Sequence, residues 1–169
     1  LVLREVALFQ GVKVSLARDG IAVTQRNAVV VAKRDGLMRV YVTPGSGFRA
    51  RDVQCELTIV RGTTEVLRLT DAKRVTASST EDDTKTTFNF DVPGSAIGSD
   101  VEFKVALRET SGKSVDTNQS SAARFPRTGE TSKLEARRGG ETLKVVLVPV
   151  KYMADGSGRI PDVSPAAIE

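Results

Sequence analysis

Few side chains in this sequence could perform catalysis. Its 169 residues include no His and a single Cys, Cys55. A Ser-His-Asp triad, a Cys-His dyad and a His-ligated metal site are therefore excluded within this chain, as are an internal disulfide and the Cys-rich zinc patterns. Cys55 alternates with Val53 and Leu57 on one apolar face of a predicted strand. Because a buried thiol without a neighbouring base is a poor nucleophile, we expect Cys55 to be a core residue.

Two acidic segments have spacings that could bind a cation. Asp155, Ser157 and Arg159 alternate as the ligands of a calcium loop do, but an Arg repels a cation, and Ile160 stands where such a loop needs Gly. The second segment, Glu-Asp-Asp at 81–83, could recruit a cation, although such runs more often keep a loop soluble. A turn-rich connector and a solvated loop tip are the favoured interpretations, with a cation site as the alternative in each case.

Other motifs are weaker still. The chain has no Trp, and its two Tyr residues are Tyr41 and Tyr152, so the aromatic platforms common in glycosidases and sugar-binding modules are scarce. Gly45-Ser46-Gly47 lacks the third Gly and the following helix of a phosphate-binding loop. The Asn-Gln-Ser sequon at 118–120 is read as a loop. We therefore predict no catalytic, cofactor-binding or metal-binding residue, no cofactor, and no enzymatic activity in this chain.

The charge is only mildly basic, with 25 Lys and Arg against 21 Asp and Glu. The densest basic stretch is interrupted by Glu130 and Glu135 and has only Phe125 beside it; its cations are Arg124, Arg127, Lys133, Arg137 and Arg138. Nucleic-acid-binding surfaces pair such cations with stacking aromatics, so a solvated strand edge is favoured over a polyanion site. We expect no nucleic-acid partner. Because the sequence contains no long apolar run, we also expect no membrane insertion.

The elements that must position these residues are predicted to be strands. Apolar and polar residues alternate over 12–16, 37–42, 53–60, 86–92 and 101–108, which is typical of antiparallel sheets with one wet face and one buried face. Within 37–42, Arg39 and Tyr41 are placed on the wet face. The predicted core consists of Val14, Leu16, Val40, Val42, Val53, Cys55, Leu57, Ile59, Phe88, Phe90, Phe103, Val105, Leu107, Val145 and Leu147.

Turn signals separate these strands. Arg18-Asp19-Gly20 and Arg34-Asp35-Gly36 are the strongest hairpin signals, because Asp-Gly tolerates positive φ. Turns that recur at short intervals favour an all-β, immunoglobulin-like two-sheet antiparallel sandwich.

The end of the chain differs from the rest. A last strand is predicted over 143–152, with Pro149 restricting it to a sheet edge. Its apolar residues are expected to be covered by residues 1–9, with contact to something beyond this domain as the alternative. Residues 1–152 are therefore assigned to the sandwich. The segment 153–169, with its Gly, Ser and Pro residues, is assigned as a connector to a following domain.

Two segments resemble a known arrangement. Residues 26–42 place Arg-Val-Tyr-Val after Asp35-Gly36, and residues 147–152, Leu-Val-Pro-Val-Lys-Tyr, are followed by Asp-Gly-Ser-Gly-Arg-Ile-Pro-Asp at 155–162. Together they resemble the immunoglobulin-like β-sandwich region upstream of the metallopeptidase-like domain in secreted bacterial proteins and lipoproteins, notably those of myxobacteria. The zinc ligands of that family would lie beyond Glu169, so no functional residue is carried over to this chain.

The resemblance implies a non-catalytic accessory module, a spacer or substrate-presenting sandwich of a secreted bacterial protein, N-terminal to a zinc-metallopeptidase-like domain. Its expected partner is the adjacent C-terminal domain of the same polypeptide, and its expected location is extracellular or at the cell surface. The alternative is an adhesin-like module that binds a surface protein or a glycan through loop residues Phe48, Arg49 and Arg51. Both ends of the sequence look like cuts from a longer chain.

Overall fold

The computed structural model describes residues 1–111, 114–115, 120–139, 147–162 and 164–168. It divides into two compact units, Leu1–Gly139 and Gly140–Glu169. The sequence places the domain boundary after residue 152 instead, and the role of 153–169 as a connector to a following domain stays a prediction.

The first unit is all-β and contains two antiparallel sheets. Its strands are β1 (Val2–Phe9), β2 (Lys13–Arg18), β3 (Ile21–Ala22), β4 (Gly36–Thr43), β5 (Arg51–Arg61), β6 (Thr64–Val75), β7 (Phe88–Val92), β8 (Val101–Ser111), β9 (Ser114–Val115), β10 (Arg124–Phe125) and β11 (Ser132–Lys133). The first sheet has the order β3-β2-β1-β4-β7. The second has the order β10-β8-β5-β6, with β9 and β11 also paired to β8.

A single hydrophobic core contains residues from both sheets. Strands β5 and β8 pair along most of their length, from Val53 opposite Glu109 to Arg61 opposite Val101. Their alternate residues enter the core, where the Phe103 ring lies 5.4 Å from the Phe125 ring. The predicted core is confirmed for Val14, Leu16, Val40, Val42, Val53, Cys55, Leu57, Ile59, Phe88, Phe90, Phe103, Val105 and Leu107, all buried.

The predicted end of the sandwich is partly wrong. Leu147 is 47% exposed and lies in no strand, so it is not a core residue, and residues 147–150 have no strand structure. Val145 and the predicted strand segment 143–146 lie outside the described residues. Residues 2–9 are not an added cover segment; they form β1, between β2 and β4 in the first sheet.

One of the two predicted hairpins is confirmed. Asp19 and Gly20, both with positive φ, connect β2 to β3. The Arg34-Asp35-Gly36 hairpin is wrong, because residues 26–33 form no strand before it. Instead, the Asp35 carboxylate accepts a hydrogen bond from the Gly94 amide at 2.6 Å. The Asp-Gly pair therefore ties the start of β4 to a distant loop.

The prediction of a wet outer face on β4 is also wrong. Tyr41 and Arg39 are buried, although they alternate with the core residues Met38, Val40 and Val42. Residues from the 79–87 segment contact this face through hydrogen bonds, as Arg39 donates to the Glu81 carbonyl at 3.0 Å and to Thr87 Oγ1 at 3.1 Å. Local alternation cannot reveal cover supplied by a segment so distant in sequence.

The second unit contains a short turn and a short helix among its described residues. The Tyr152 amide donates to the Arg159 carbonyl at 2.8 Å, which closes the turn around Asp155. A single helical stretch, α1 (Pro165–Ile168), begins after Ser164, whose amide donates to Asp162 at 2.8 Å.

Candidate functional site

Cys55 has the environment of a structural residue. Its side chain is fully buried on the inner face of β5. Burial raises the pKa of this thiol well above its ordinary value, with Asp71 and Glu56 acting in the same direction. A thiol that is protonated and inaccessible is not a nucleophile.

The acidic segments use their oxygens within the protein. Glu81 forms an ion pair with Lys13 at 2.6 Å, and Asp83 accepts a hydrogen bond from the Lys85 amide at 2.9 Å. In the second unit, Asp155 pairs with Arg159 and accepts from the Ser157 amide at 2.9 Å. The described residues contain no group of three or more acidic or thiol side chains that could hold a metal ion.

The loop residues expected to bind a surface ligand are largely engaged with each other. The Arg51 guanidinium lies 4.4 Å from the centre of the Phe48 ring and pairs with Glu109 at 3.1 Å. Arg49 is exposed. Of the three residues expected to bind a ligand, Arg49 is therefore the one that stays exposed. A single guanidinium is a small surface for recognition.

A polar layer covers the outer face of the first sheet. Glu5 accepts hydrogen bonds from Ser15 at 2.5 Å and Lys13 at 3.1 Å, and Arg18 lies 3.4 Å from it. Burial pushes the pKa of the Glu5 carboxyl up, but these hydrogen bonds and the charges of Lys13 and Arg18 outweigh it, and the net pKa is lowered. Lys13 also lies 4.7 Å from the centre of the Tyr41 ring.

This layer has a structural role. The cations Lys13 and Arg39 face the carboxylate of Glu5 and groups of the 79–87 segment. Burial raises the pKa of Tyr41, which keeps its hydroxyl neutral. The contacts fasten the 79–87 segment to the first sheet.

The outer face of the second sheet carries an uneven distribution of charge. Strand register places Arg68, Thr58 and Lys104 in one row across β6, β5 and β8. The next row places Glu56, Ala106 and Arg124 across β5, β8 and β10. The result is a cavity of about 370 Å³, which we call the basic pocket. It is lined by Glu56, Thr58, Arg68, Lys104, Val105, Ala106, Arg108, Arg124, Phe125, Pro126 and Gly129.

Glu56 is the only carboxylate lining the basic pocket, against four cations. One of its oxygens lies 3.0 Å from Arg68, and the other lies 3.7 Å from Arg108. Glu65, outside the lining, also pairs with Arg68. Lys104 makes no hydrogen bond or ion pair with any residue that the structure describes. The pocket therefore retains a net positive charge after its internal pairing.

The signal for this pocket was only partly present in the sequence. Alternation puts Glu56 and Thr58 on the polar face of one strand and Lys104 and Arg108 on that of another. The register that brings these faces together, and the position of Arg124 beside Ala106, depend on strand pairing between distant segments. Of the basic stretch, Arg124 lines this pocket, while Arg127 donates to the Asp19 carbonyl elsewhere, at 2.6 Å.

None of the helices that the structure describes combines the length and the apolar character needed to cross a membrane. Comparison with models of known protein families, with curated proteins and with solved structures finds no match.

Proposed function

We propose that this chain is a non-catalytic accessory module, an immunoglobulin-like β-sandwich that spaces or presents substrate to a neighbouring domain of an exported bacterial protein. The neighbour in this proposal is a zinc-metallopeptidase-like domain on the C-terminal side. The observation that carries the proposal is the lack of a reactive group: the sequence has no His, and its one thiol is fully buried with a raised pKa. Two antiparallel sheets around one core provide a rigid support of the kind that accessory modules use.

The test is a hydrolysis assay on purified residues 1–169, with casein and a glycoprotein as substrates, in the presence and absence of zinc. The proposal predicts no hydrolysis above the buffer control under either condition. Activity that survives repurification and scales with protein concentration would contradict the non-catalytic assignment.

The second candidate function is an adhesin-like module that binds a surface protein or a glycan. The basic pocket favours it, because four cations surround one carboxylate on an open sheet face. A glycan array screened at about 100 μM, where a weak module with a binding free energy near −5 to −6 kcal/mol gives a signal, tests this candidate. Absence of signal on both neutral and anionic glycans would count against it.

A further inference from the structure

We propose that the basic pocket is a binding site for a sulfate or phosphate group carried by a saccharide. The proposal goes beyond the accessory function. It also deepens the second candidate function, because it names the ligand chemistry and the residues that recognise it.

The first argument is the excess of positive charge. Arg68 and Arg108 share the carboxylate of Glu56, so these three groups together carry one net positive charge. Lys104 and Arg124 add two cations that no carboxylate within the lining neutralises. Glu65, outside the lining, offsets part of this charge, because it pairs with Arg68 and also interacts electrostatically with Lys104. A phosphate monoester between Lys104 and Arg124, which carries close to two negative charges at neutral pH, would complete the balance, and a sulfate ester, which carries one, would offset half of the excess.

The second argument is that polar atoms in the pocket are left without partners. Thr58 is 2% exposed, and its hydroxyl has no hydrogen-bond partner in the part of the chain that the structure describes. The Arg108 Nε atom is also buried and unpartnered. Among the described residues four buried side-chain atoms have no hydrogen-bond partner, Tyr41 Oη and Arg51 Nε being the other two, and Thr58 and Arg108 both line this cavity, where an acceptor would satisfy them. An oxyanion offers several acceptor oxygens at once.

The third argument is that Arg124 is held in place before any ligand arrives. Its Nε donates to the Arg127 carbonyl at 2.9 Å. The turn that supplies this carbonyl closes with a hydrogen bond from the Gly129 amide to the Pro126 carbonyl, also at 2.9 Å. A Cβ at Gly129 would stand 3.6 Å from an Nη atom of Arg124, so the guanidinium lies against the turn. Its two Nη groups have no hydrogen-bond partner among the described residues and form the planar fork that oxyanions accept.

The size of the pocket admits a saccharide as carrier. Its volume of about 370 Å³ exceeds that of a bare sulfate, so a neighbouring sugar ring can enter. The only aromatic lining residue, Phe125, is 2% exposed and packs inward against Phe103, so no ring is available for stacking on a base or on a sugar. The carrier is therefore recognised through its charged group.

The test is an amide NMR titration of the full chain, residues 1–169, with sodium sulfate and with sodium phosphate, and chloride at matched ionic strength as the reference. We expect saturable shifts confined to the strands around the pocket, near Thr58, Lys104 and Arg124. Shifts that match those of chloride, or that concentrate in the 44–50 loop, would overturn the proposal.

Single substitutions test whether the anion binds in the basic pocket. Lys104→Gln and Arg124→Gln should each weaken sulfate or phosphate binding by at least about tenfold, because each removes one cation without touching the core. Arg49→Gln is the matched control, since it removes an exposed cation outside the pocket, and it should leave the affinity unchanged. Equal losses in all three variants would indicate non-specific attraction and overturn the proposal.

The carrier is tested by competition. A sulfated oligosaccharide and a phosphorylated one distinguish the two ester types, and a single-stranded oligonucleotide of equal charge represents nucleic acid. Tighter binding of either saccharide supports the proposal, and tighter binding of the oligonucleotide overturns it. Hydrolytic activity of the chain would contradict the accessory function without affecting this result, so the two failures are distinguishable.

Discussion

The hydroxyl of Thr58 contributes nothing to the unliganded fold on this account, because it is buried and has no partner among the described residues. Thr58→Val should therefore leave the free energy of unfolding unchanged or raise it by about 1 kcal/mol. Chemical denaturation measures the difference. A loss of more than about 1 kcal/mol would mean that the hydroxyl already makes a stabilising hydrogen bond.

Thr87 provides the matched control for this substitution. It is also fully buried, but its hydroxyl accepts from Arg39 Nε at 3.1 Å and donates to Asn89 Oδ1 at 2.8 Å. Thr87→Val should lower the free energy of unfolding by about 1–3 kcal/mol, because it leaves the Arg39 donor unsatisfied. The contrast between the two variants separates a partnered buried hydroxyl from an unpartnered one.

Glu5 is expected to make the free energy of unfolding depend on pH in the acidic range. Its folded-state pKa lies below the ordinary value of 4.5, so the stabilisation it provides is complete above that pH and is lost as the pH falls through the folded-state pKa. Glu5→Gln should lower the free energy of unfolding at pH 7 by about 1–3 kcal/mol, since Ser15 and Lys13 lose a charged acceptor. It should also flatten the acid dependence, measured as the denaturation midpoint between pH 3 and pH 7.

Glu130→Gln is the control for this prediction, because Glu130 is exposed and its side chain forms no ion pair with any residue that the structure describes. It should leave both the midpoint and its pH dependence unchanged. An acid profile that is the same in Glu5→Gln and in the unsubstituted protein would contradict the role given to Glu5.

At the scale of the elements, β8 is the strand on which the second sheet depends, because it pairs with β5, β9, β10 and β11. Phe103, near its start, is fully buried and packs against Phe125. Phe103→Ala should lower the free energy of unfolding by about 3–5 kcal/mol. A loss well below 1 kcal/mol, measured by denaturation, would contradict the packing of this strand.

The sequence predicted the buried faces of β5, β7 and β8 well, because each alternates cleanly and has one face toward the core. It failed where a distant segment changes the environment. The alternation pattern predicts Tyr41 on the solvent-facing side of β4. It is buried, because residues 79–87 contact that face of the strand. Asp35-Gly36 is predicted to be a hairpin turn. Instead, the Asp35 carboxylate accepts a hydrogen bond from the amide of Gly94, which is distant in sequence. Such contacts depend on tertiary placement, which local periodicity does not encode.

The basic pocket could likewise be predicted only in part, because its residue types follow local patterns whereas its assembly depends on distant strand pairing. Four residues of the basic pocket are readable from the sequence as polar positions of the alternating segments 53–60 and 101–108: Glu56, Thr58, Lys104 and Arg108. Their assembly is not, because Arg124 reaches the pocket through a two-residue strand, β10, that alternation is too short to indicate. The sequence instead favoured Phe48 and Arg49 of the 44–50 loop together with Arg51, the first residue of β5, which is engaged by Glu109 and Phe48.

At the scale of the whole molecule, the proposal joins an all-β fold with one core, a sequence without His and the basic pocket. In the proposed function, such a module would hold or present a substrate to a catalytic neighbour. The proposed function therefore makes a claim about the polypeptide beyond this sequence, and that claim is open to direct measurement.

The most direct test of the accessory role is to sequence the coding region past the codon for Glu169. The account predicts a following domain with a His-Glu-x-x-His helix, in which two His bind zinc and the Glu acts as the base. A stop codon, or a continuation into further β-sandwich repeats, would contradict the link to a metallopeptidase-like domain.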